Sequence, residues 1–185
     1  MPRRELNARQ ADTVEKLLTA GADELRAVGH DALTIRTVAT RAQVSPATAY
    51  TYLASKNHLF AELFWRHLAA QRADVPAGTT PLERVQSVTR QMTRSLAESP
   101  ELAAAATSAL LSTDPNVERL RIQIGSEFID RFTVALGDAA DPALVETLVL
   151  ALSGALLQGG MGLLTYTEMG DRLDSVAAVI MKGNA

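Results

Sequence analysis

The sequence predicts an all-α protein of about nine helices: an N-terminal three-helix helix-turn-helix domain, then a larger helical domain. Three observations lead there. Five of the seven prolines follow a good helix-capping residue: Ser45-Pro46, Thr80-Pro81, Ser99-Pro100, Asp114-Pro115 and Asp141-Pro142. Each capping oxygen can accept a bond from a free first-turn N–H, and proline at the first helical position gives up an N–H that has no partner there. Apolar residues recur at three- and four-residue spacing along most of the chain. No run of alternating β-branched residues lies between turn signals, so no strand is expected.

The helices are expected at 8–28, 35–42, 46–52, 56–72, 81–98, 100–112, 115–137, 142–167 and 170–182. In the first, Val14, Leu17, Leu18, Gly21, Ala22, Leu25 and Val28 share a broad face, and Gly29 ends it. Thr34 caps the second, whose apolar face is Ile35, Val38, Ala39 and Ala42, and Gln43-Val44 makes a tight turn. Ser45 caps the third, Pro46–Tyr52, and Ser55 the fourth. Residues 73–80 (ADVPAGTT) form a short linker, and Thr80 with Glu83 fits a capping box for the fifth helix. Val85, Val88, Met92 and Leu96 form its stripe. Ala103–Ala106 is a small alanine run. Leu120, Ile124, Phe128 and Phe132, with Ile129 beside them, form the stripe of 115–137, and Leu148, Leu152, Leu156, Met161 and Leu164 that of 142–167.

The 18 residues 147–164 carry no charge. As one helix they would span about 27 Å, close to a bilayer core. Gln158, four glycines and the lack of flanking Lys or Arg argue instead for a helix buried within a protein or an oligomer, not a membrane span. The chain has no cysteine, so disulfides, thiolate zinc sites and cysteine nucleophiles are excluded. The N-terminus lacks the apolar stretch of a secretory signal, and a cytoplasmic location is expected.

Charge is unevenly spread. Residues 1–72 carry ten Lys and Arg against seven Asp and Glu, while 73–185 carry eight against fourteen. No acidic residue lies between Asp31 and Glu62, where Arg36, Arg41 and Lys56 all fall. A basic front and an acidic back point to a polyanion meeting the front alone. There, residues 33–59 (LTIRTVATRAQVSPATAYTYLASKNHL) break into two short helices joined by a tight turn, then a third helix. This is the helix-turn-helix with which DNA readers lay the second helix in the major groove.

At these residues the sequence resembles the N-terminal domain of the TetR family of transcriptional repressors. The matching residues are Leu17, Leu18, Ala22, Leu25 and Gly29, then Leu33-Thr34-Ile35-Arg36, Val38-Ala39, Ala42 and Val44-Ser45, and finally Thr48, Tyr50, Tyr52, Ser55-Lys56 and Leu59-Phe60. The spacing runs from Leu17 to Phe60 without a gap. Residues 81–102 also resemble actinobacterial regulators of the same family that govern lipid or sterol breakdown. Ala47, Ala49, Leu53 and Asn57 depart from residues usual in the family. Ala47 adds a methyl group at a close backbone approach.

The resemblance implies a DNA-facing set of Thr34, Arg36, Ser45, Pro46, Ala47, Thr48, Tyr50, Thr51, Tyr52 and Lys56. Thr34 and Ser45 offer hydroxyls or first-turn amides to phosphate, and serve as helix caps in any case. Tyr50, Tyr52 and Lys56 contact phosphates and set the docking register. Arg36 is long enough for a guanine edge, and Thr48 and Thr51 can meet bases or thymine methyls. Tyr50 has a competing place in the core, Arg41 reads as a solvated surface charge, and Arg3, Arg4 and Arg9 as an arm or a frayed tail.

The domains are expected at 1–55, binding DNA, and 56–185, binding a ligand and forming the dimer. Apolar walls with one or two polar groups suit a small hydrophobic effector, with Phe64, Met92, Phe128, Phe132, Gln158 and Met161 as candidates. Gly154, Gly159, Gly160 and Gly162 permit close packing or leave room for a ligand. His30, His58 and His67 show no metal spacing, and GxSxG, P-loop and GxGxxG motifs are absent. No catalytic residue, metal or cofactor is therefore expected. The reading is a ligand-responsive repressor of a palindromic double-stranded DNA operator. It is a homodimer through 142–167 and 170–182, whose Leu173, Val176, Ala177 and Ile180 form a second stripe. The alternative is an all-helical enzyme or carrier of a hydrophobic small molecule.

Overall fold

The computed structural model describes the backbone of residues 3–71 and 76–183, with side chains from Ala8 onward. Among the described residues there are nine α-helices and no strand: α1 (Arg3–Ala32), α2 (Ile35–Arg41), α3 (Pro46–Tyr52), α4 (Lys56–Ala70), α5 (Pro81–Glu98), α6 (Pro100–Leu111), α7 (Glu118–Leu136), α8 (Pro142–Gly160) and α9 (Tyr166–Lys182). Short 3₁₀ turns, Pro115–Val117 and Gly137–Ala139, precede α7 and follow it. The expected linker falls partly on 72–75, outside the described residues.

The proline starts hold in different ways. Ser45, Thr80 and Asp141 accept first-turn N–H bonds, and Thr80 with Glu83 closes a capping box. Asp114 instead caps the 3₁₀ turn, so α7 begins three residues later than expected. Ser99 makes no side-chain cap bond, because it serves as the tight corner that ends α5 and starts α6. Gly29 adopts φ 75°, as a helix stop requires, though a further turn follows it to Ala32.

The largest correction concerns the C-terminal pair. The helix expected over 142–167 ends at Gly160, and Gly162 turns the chain at φ 71°. Thr165 and Glu168 then form a capping box, so α9 starts at Tyr166 rather than at 170. Gly170 lies inside α9, where an added Cβ would come within 2.9 Å of Thr93 Oγ1 on α5.

Among the described residues two large apolar cores result, with a small third cluster of Ala61, Val117 and Leu120. Leu17, Leu25, Val38, Ala49, Leu53 and Phe60 anchor the first, which joins α1–α4. Phe64, Val85, Met92, Phe132, Leu152 and Met169 anchor the second, which joins α4, α5, α7, α8 and α9. Helix α6 belongs to both: Ala105 and Ala109 pack into the first, Ala103 and Ala106 into the second. Alanines suit that position, since their small side chains let a helix approach neighbours on opposite sides.

Helix α8 is long and apolar enough to cross a bilayer, but Leu144, Val145, Leu148 and Leu152 bury one face of it in the second core. Its other face carries Leu150, 65% exposed, and Leu157, 38% exposed. The stripe assigned to α9 splits likewise: Leu173 and Ala177 are buried within the chain, Ile180 is half-buried against the second core, and Val176 faces out, as does Val179 outside that stripe.

His67 sits half-buried between α4 and α5. Its Nε2 lies 2.6 Å from Ser95 Oγ and 3.1 Å from Gln71 Nε2. With the Gln71 amide donating, that nitrogen is an acceptor and the ring is neutral. Burial holds its pKa below the usual value of about 6.5. The unfolded chain therefore takes up a proton before the folded one does. The stability from this site is full above that value and falls as pH drops below it. Urea midpoints measured from pH 7.5 to pH 5 should fall more steeply in the unmutated protein than in His67→Gln.

Candidate DNA-binding interface

The helix-turn-helix is held by local bonds. Thr34 Oγ1 accepts the Thr37 N–H at 3.1 Å, and the Thr34 N–H bonds back to Thr37 Oγ1 at 3.2 Å. This capping box uses threonine in place of the usual glutamate or glutamine. Gln43 takes a left-handed φ of 56°, and the Val44 N–H reaches Ala39 O at 3.0 Å, which makes the tight turn. Ser45 Oγ then accepts the Thr48 N–H at 3.1 Å and starts α3. Ala49 is fully buried and Leu53 nearly so, so that edge of α3 rests on α2 and enters the first core.

The opposite face of α3 points outward. Pro46, Ala47, Tyr50 and Thr51 are exposed, and Thr48 and Tyr52 are half-buried. Tyr50, for which the core was the competing place, is 51% exposed. Tyr52 packs partly against the first core. Thr34, Arg36 and Ser45 are exposed around the N-termini of α2 and α3, so the structure gathers the ten expected residues around these two helices and the start of α4. Lys56 also has a job inside the protein. Its Nζ donates to His30 O at 2.9 Å and to Asp31 O at 3.3 Å, closing the last turn of α1. An ammonium has a third N–H to offer. The side chains of Arg3 and Arg4 lie outside the described residues, and Arg9 is exposed.

Arg41 is not a free surface charge. Its Nε donates to Glu24 Oε2 at 2.7 Å, and Glu24 is 7% exposed. The pair clamps α2 to α1. Ser55 links this region to the rest of the protein: it caps α4 through the His58 N–H and donates to Asp114, in the loop between α6 and α7. That hydrogen bond holds the Asp114 carboxyl below its usual range. Both contacts span too many residues for periodicity to reveal.

A second feature lies behind the interface. A cavity of about 180 Å³ opens between α6 and α8. Of the six candidates for a ligand site, Phe64 and Phe128 line it. Met92 and Phe132 are buried in the core and do not line it, while Gln158 and Met161 are exposed and lie outside it. Its polar groups are instead Thr107, Ser153 and Tyr166, and no lining residue is charged. Tyr166 has no periodic signal of its own, since it opens α9 at a capping box that falls inside and just past the helix expected over 142–167. Close approach here is fixed by Gly160, where a Cβ would come within 2.4 Å of the Thr107 side chain. Among the described residues, no group of three or more His, Asp or Glu is placed to hold a metal ion.

The outward short helix, its tight turn and its capped supports define a helix-turn-helix DNA-binding protein. The comparisons agree. The family described as bacterial regulatory proteins, tetR family, matches residues 17–63. An HTH-type transcriptional regulator of Mycobacterium tuberculosis is 44% identical over 180 residues, covering 96% of this chain and 84% of that one. The HTH-type transcriptional repressor KstR of Rhodococcus jostii is 28% identical over 159 residues, covering 83% and 75%. Among solved structures, a TetR transcriptional regulator from Rhodococcus sp. RHA1 superposes with a TM-score of 0.79 at 19% identity, covering 94% and 97%. The Thermus thermophilus repressor FadR, in complex with lauroyl-CoA, does so with a TM-score of 0.69 at 18% identity, covering 92% and 94%. The chain belongs to the TetR family of transcriptional regulators; it is not an enzyme.

Replacing Arg41 with alanine would strand the Glu24 carboxylate in a nearly closed site, at a cost of about 1–3 kcal/mol. Urea unfolding should register that loss, and the double variant Arg41→Ala/Glu24→Leu should recover much of it.

Proposed function

We propose that the protein is a homodimeric repressor, working in the cytoplasm, that leaves a palindromic operator when an apolar small molecule enters the cavity. The observation that carries this reading is the position of α6. One side of it (Ala106, Thr107, Leu110) walls the cavity, and the other (Ala105, Ala109) packs into the helix-turn-helix core. A cavity of about 180 Å³ is small for a ligand of drug size, which commonly needs roughly 300 Å³ or more. Such a ligand has to push the walls apart, and α6 cannot move without disturbing the DNA-binding core. A ligand that favours the widened state weakens DNA binding by the same factor by which DNA weakens the ligand. The lauroyl-CoA in the complex of the Thermus thermophilus neighbour is a ligand with an apolar acyl chain, which is the part that an uncharged cavity of this kind suits.

The outward faces of α8 and α9 support the dimer. Leu150, Leu157, Val176 and Val179 are apolar and exposed, and a Cβ added at Gly154 would meet nothing within 4 Å. Paired about a two-fold axis, the two helices make a four-helix bundle. This bundle then sets two copies of α3 about 34–36 Å apart, or a multiple of it, for successive major grooves. It also accounts for the uncharged run 147–164 without a membrane.

Binding to DNA from the protein's own upstream region should fall roughly a hundredfold or more over a fourfold rise in salt, if about four to six phosphates are neutralised. Lys56→Ala should weaken all duplexes alike, whereas Arg36→Ala should relax preference at one base pair. A flat salt response would rule the reading out. Leu150→Glu and Val179→Glu should each give folded monomers that lose operator affinity, as read by sedimentation and DNA titration. A monomer of the unmutated protein at micromolar concentration would exclude the dimer.

A further inference from the structure

The outer face of α3 is unusual for a base-reading surface. None of its seven residues, Pro46–Tyr52, carries a charge or a carboxamide. It therefore lacks the arginine, lysine, asparagine and glutamine side chains that read guanine or adenine in bidentate fashion. What it exposes is mainly carbon: the Pro46 ring, the Ala47 methyl, the Tyr50 ring and Thr51.

The two threonine hydroxyls of α3 are engaged inside the protein. Thr51 Oγ1 donates to Ala47 O at 3.0 Å. That bond turns the oxygen back along the helix and leaves the Cγ2 methyl on the outer surface. Thr48 Oγ1 lies 2.8 Å from Ser45 Oγ, in a hydrogen bond that either hydroxyl can donate, and Thr48 is half-buried. On α2, Thr40 Oγ1 likewise donates to Arg36 O at 3.0 Å. Ala47 and Thr51 stand one helical turn apart, so their methyls form one continuous apolar strip.

The major groove offers one apolar group to meet such a strip, the C5-methyl of thymine. Building on the assignment of α3 to the major groove, we propose that this helix recognises thymine by its methyl group, with Ala47 and Thr51 as the residues that determine specificity. Hydrogen-bonded base readout is left to Arg36, which is exposed on α2. The strip discriminates by excluding water from the methyl: cytosine, lacking the methyl, leaves the strip facing a void or an ordered water.

Deoxyuridine tests this directly, because it removes the methyl and keeps every hydrogen-bonding group of thymine. An operator is first selected from randomised duplexes with the purified full-length protein. Each thymine of a half-site is then replaced by deoxyuridine, and affinity is measured at fixed salt. The positions under α3 should lose about three- to fivefold per methyl, the ratio expected for one buried carbon. Thr51→Ser keeps the hydroxyl and should become indifferent to the replacement at its position. Thr51→Val keeps the methyl and should remain sensitive. Ala47→Gly should lose sensitivity at the neighbouring base, with circular dichroism confirming that α3 is intact. Equal affinity for thymine and uracil duplexes at all positions would overturn the proposal, as would sensitivity that follows the hydroxyl of Thr51→Ser. In either case a steep salt response would leave the DNA-binding reading standing. Failure to select any duplex, with no salt-sensitive complex, would bring down both.

Discussion

The constraint on which the rest of the structure depends is that α6 is held by two cores at once. It is packed between the core of the helix-turn-helix and the core of the C-terminal helices, through alanines facing each. Close-packed interiors transmit displacement because they have little slack. On the α8 side Gly160 and Thr107 come into close approach beside the cavity, so the free space there is confined to that cavity. A longer side chain at Ala105 or Ala106 would hold the two cores apart, and a polar one would bury an unpaired group. The alanine run of the sequence thus has a mechanical meaning that its composition alone does not convey.

A second regularity is electrostatic. Four helix C-termini are closed by a cation from elsewhere in the chain. Lys56 reaches the end of α1, Arg131 donates to Leu68 O at 2.6 Å near the end of α4, Arg121 to Leu110 O and Ser112 O at the end of α6, and Arg84 to Ala135 O and Leu136 O at the end of α7. The last carbonyls of a helix lack intrahelical partners and carry the negative end of its dipole, so a cation there satisfies both needs. These contacts fix helix ends across long sequence separations. They also draw basic residues away from the solvent, so the net charge of a segment overstates what it offers a polyanion.

The same point tempers the reading of the basic front. Arg41 and Lys56, two of the three cations in the acid-free stretch, are occupied with Glu24 and with the α1 carbonyls. The helix that faces outward, α3, is itself uncharged. The attraction to phosphate and the reading of bases therefore fall to different parts of the domain.

The sequence by itself determined the helical class, the helix-turn-helix and most helix starts. These depend on local chemistry: a capping oxygen, a proline at the first position and a 3.6-residue apolar period act within a few residues of where they stand. The outward set on α2 and α3 was legible for the same reason, since a seven-residue helix with one buried face has few other places to put its side chains. Tertiary structure alone decided which apolar residues are core, cavity wall or outward face. Periodicity names a stripe but not its partner, so Met92 and Phe132 went to the core, Gln158 and Met161 to the surface, and Tyr166 to the cavity. The break between α8 and α9 had a local signal, the Thr165–Glu168 box, masked by the unbroken uncharged run before it. The Arg41–Glu24 clamp and the Ser55–Asp114 link have no local signal at all. They join residues 17 and 59 apart, and only the packed chain brings them within hydrogen-bonding range.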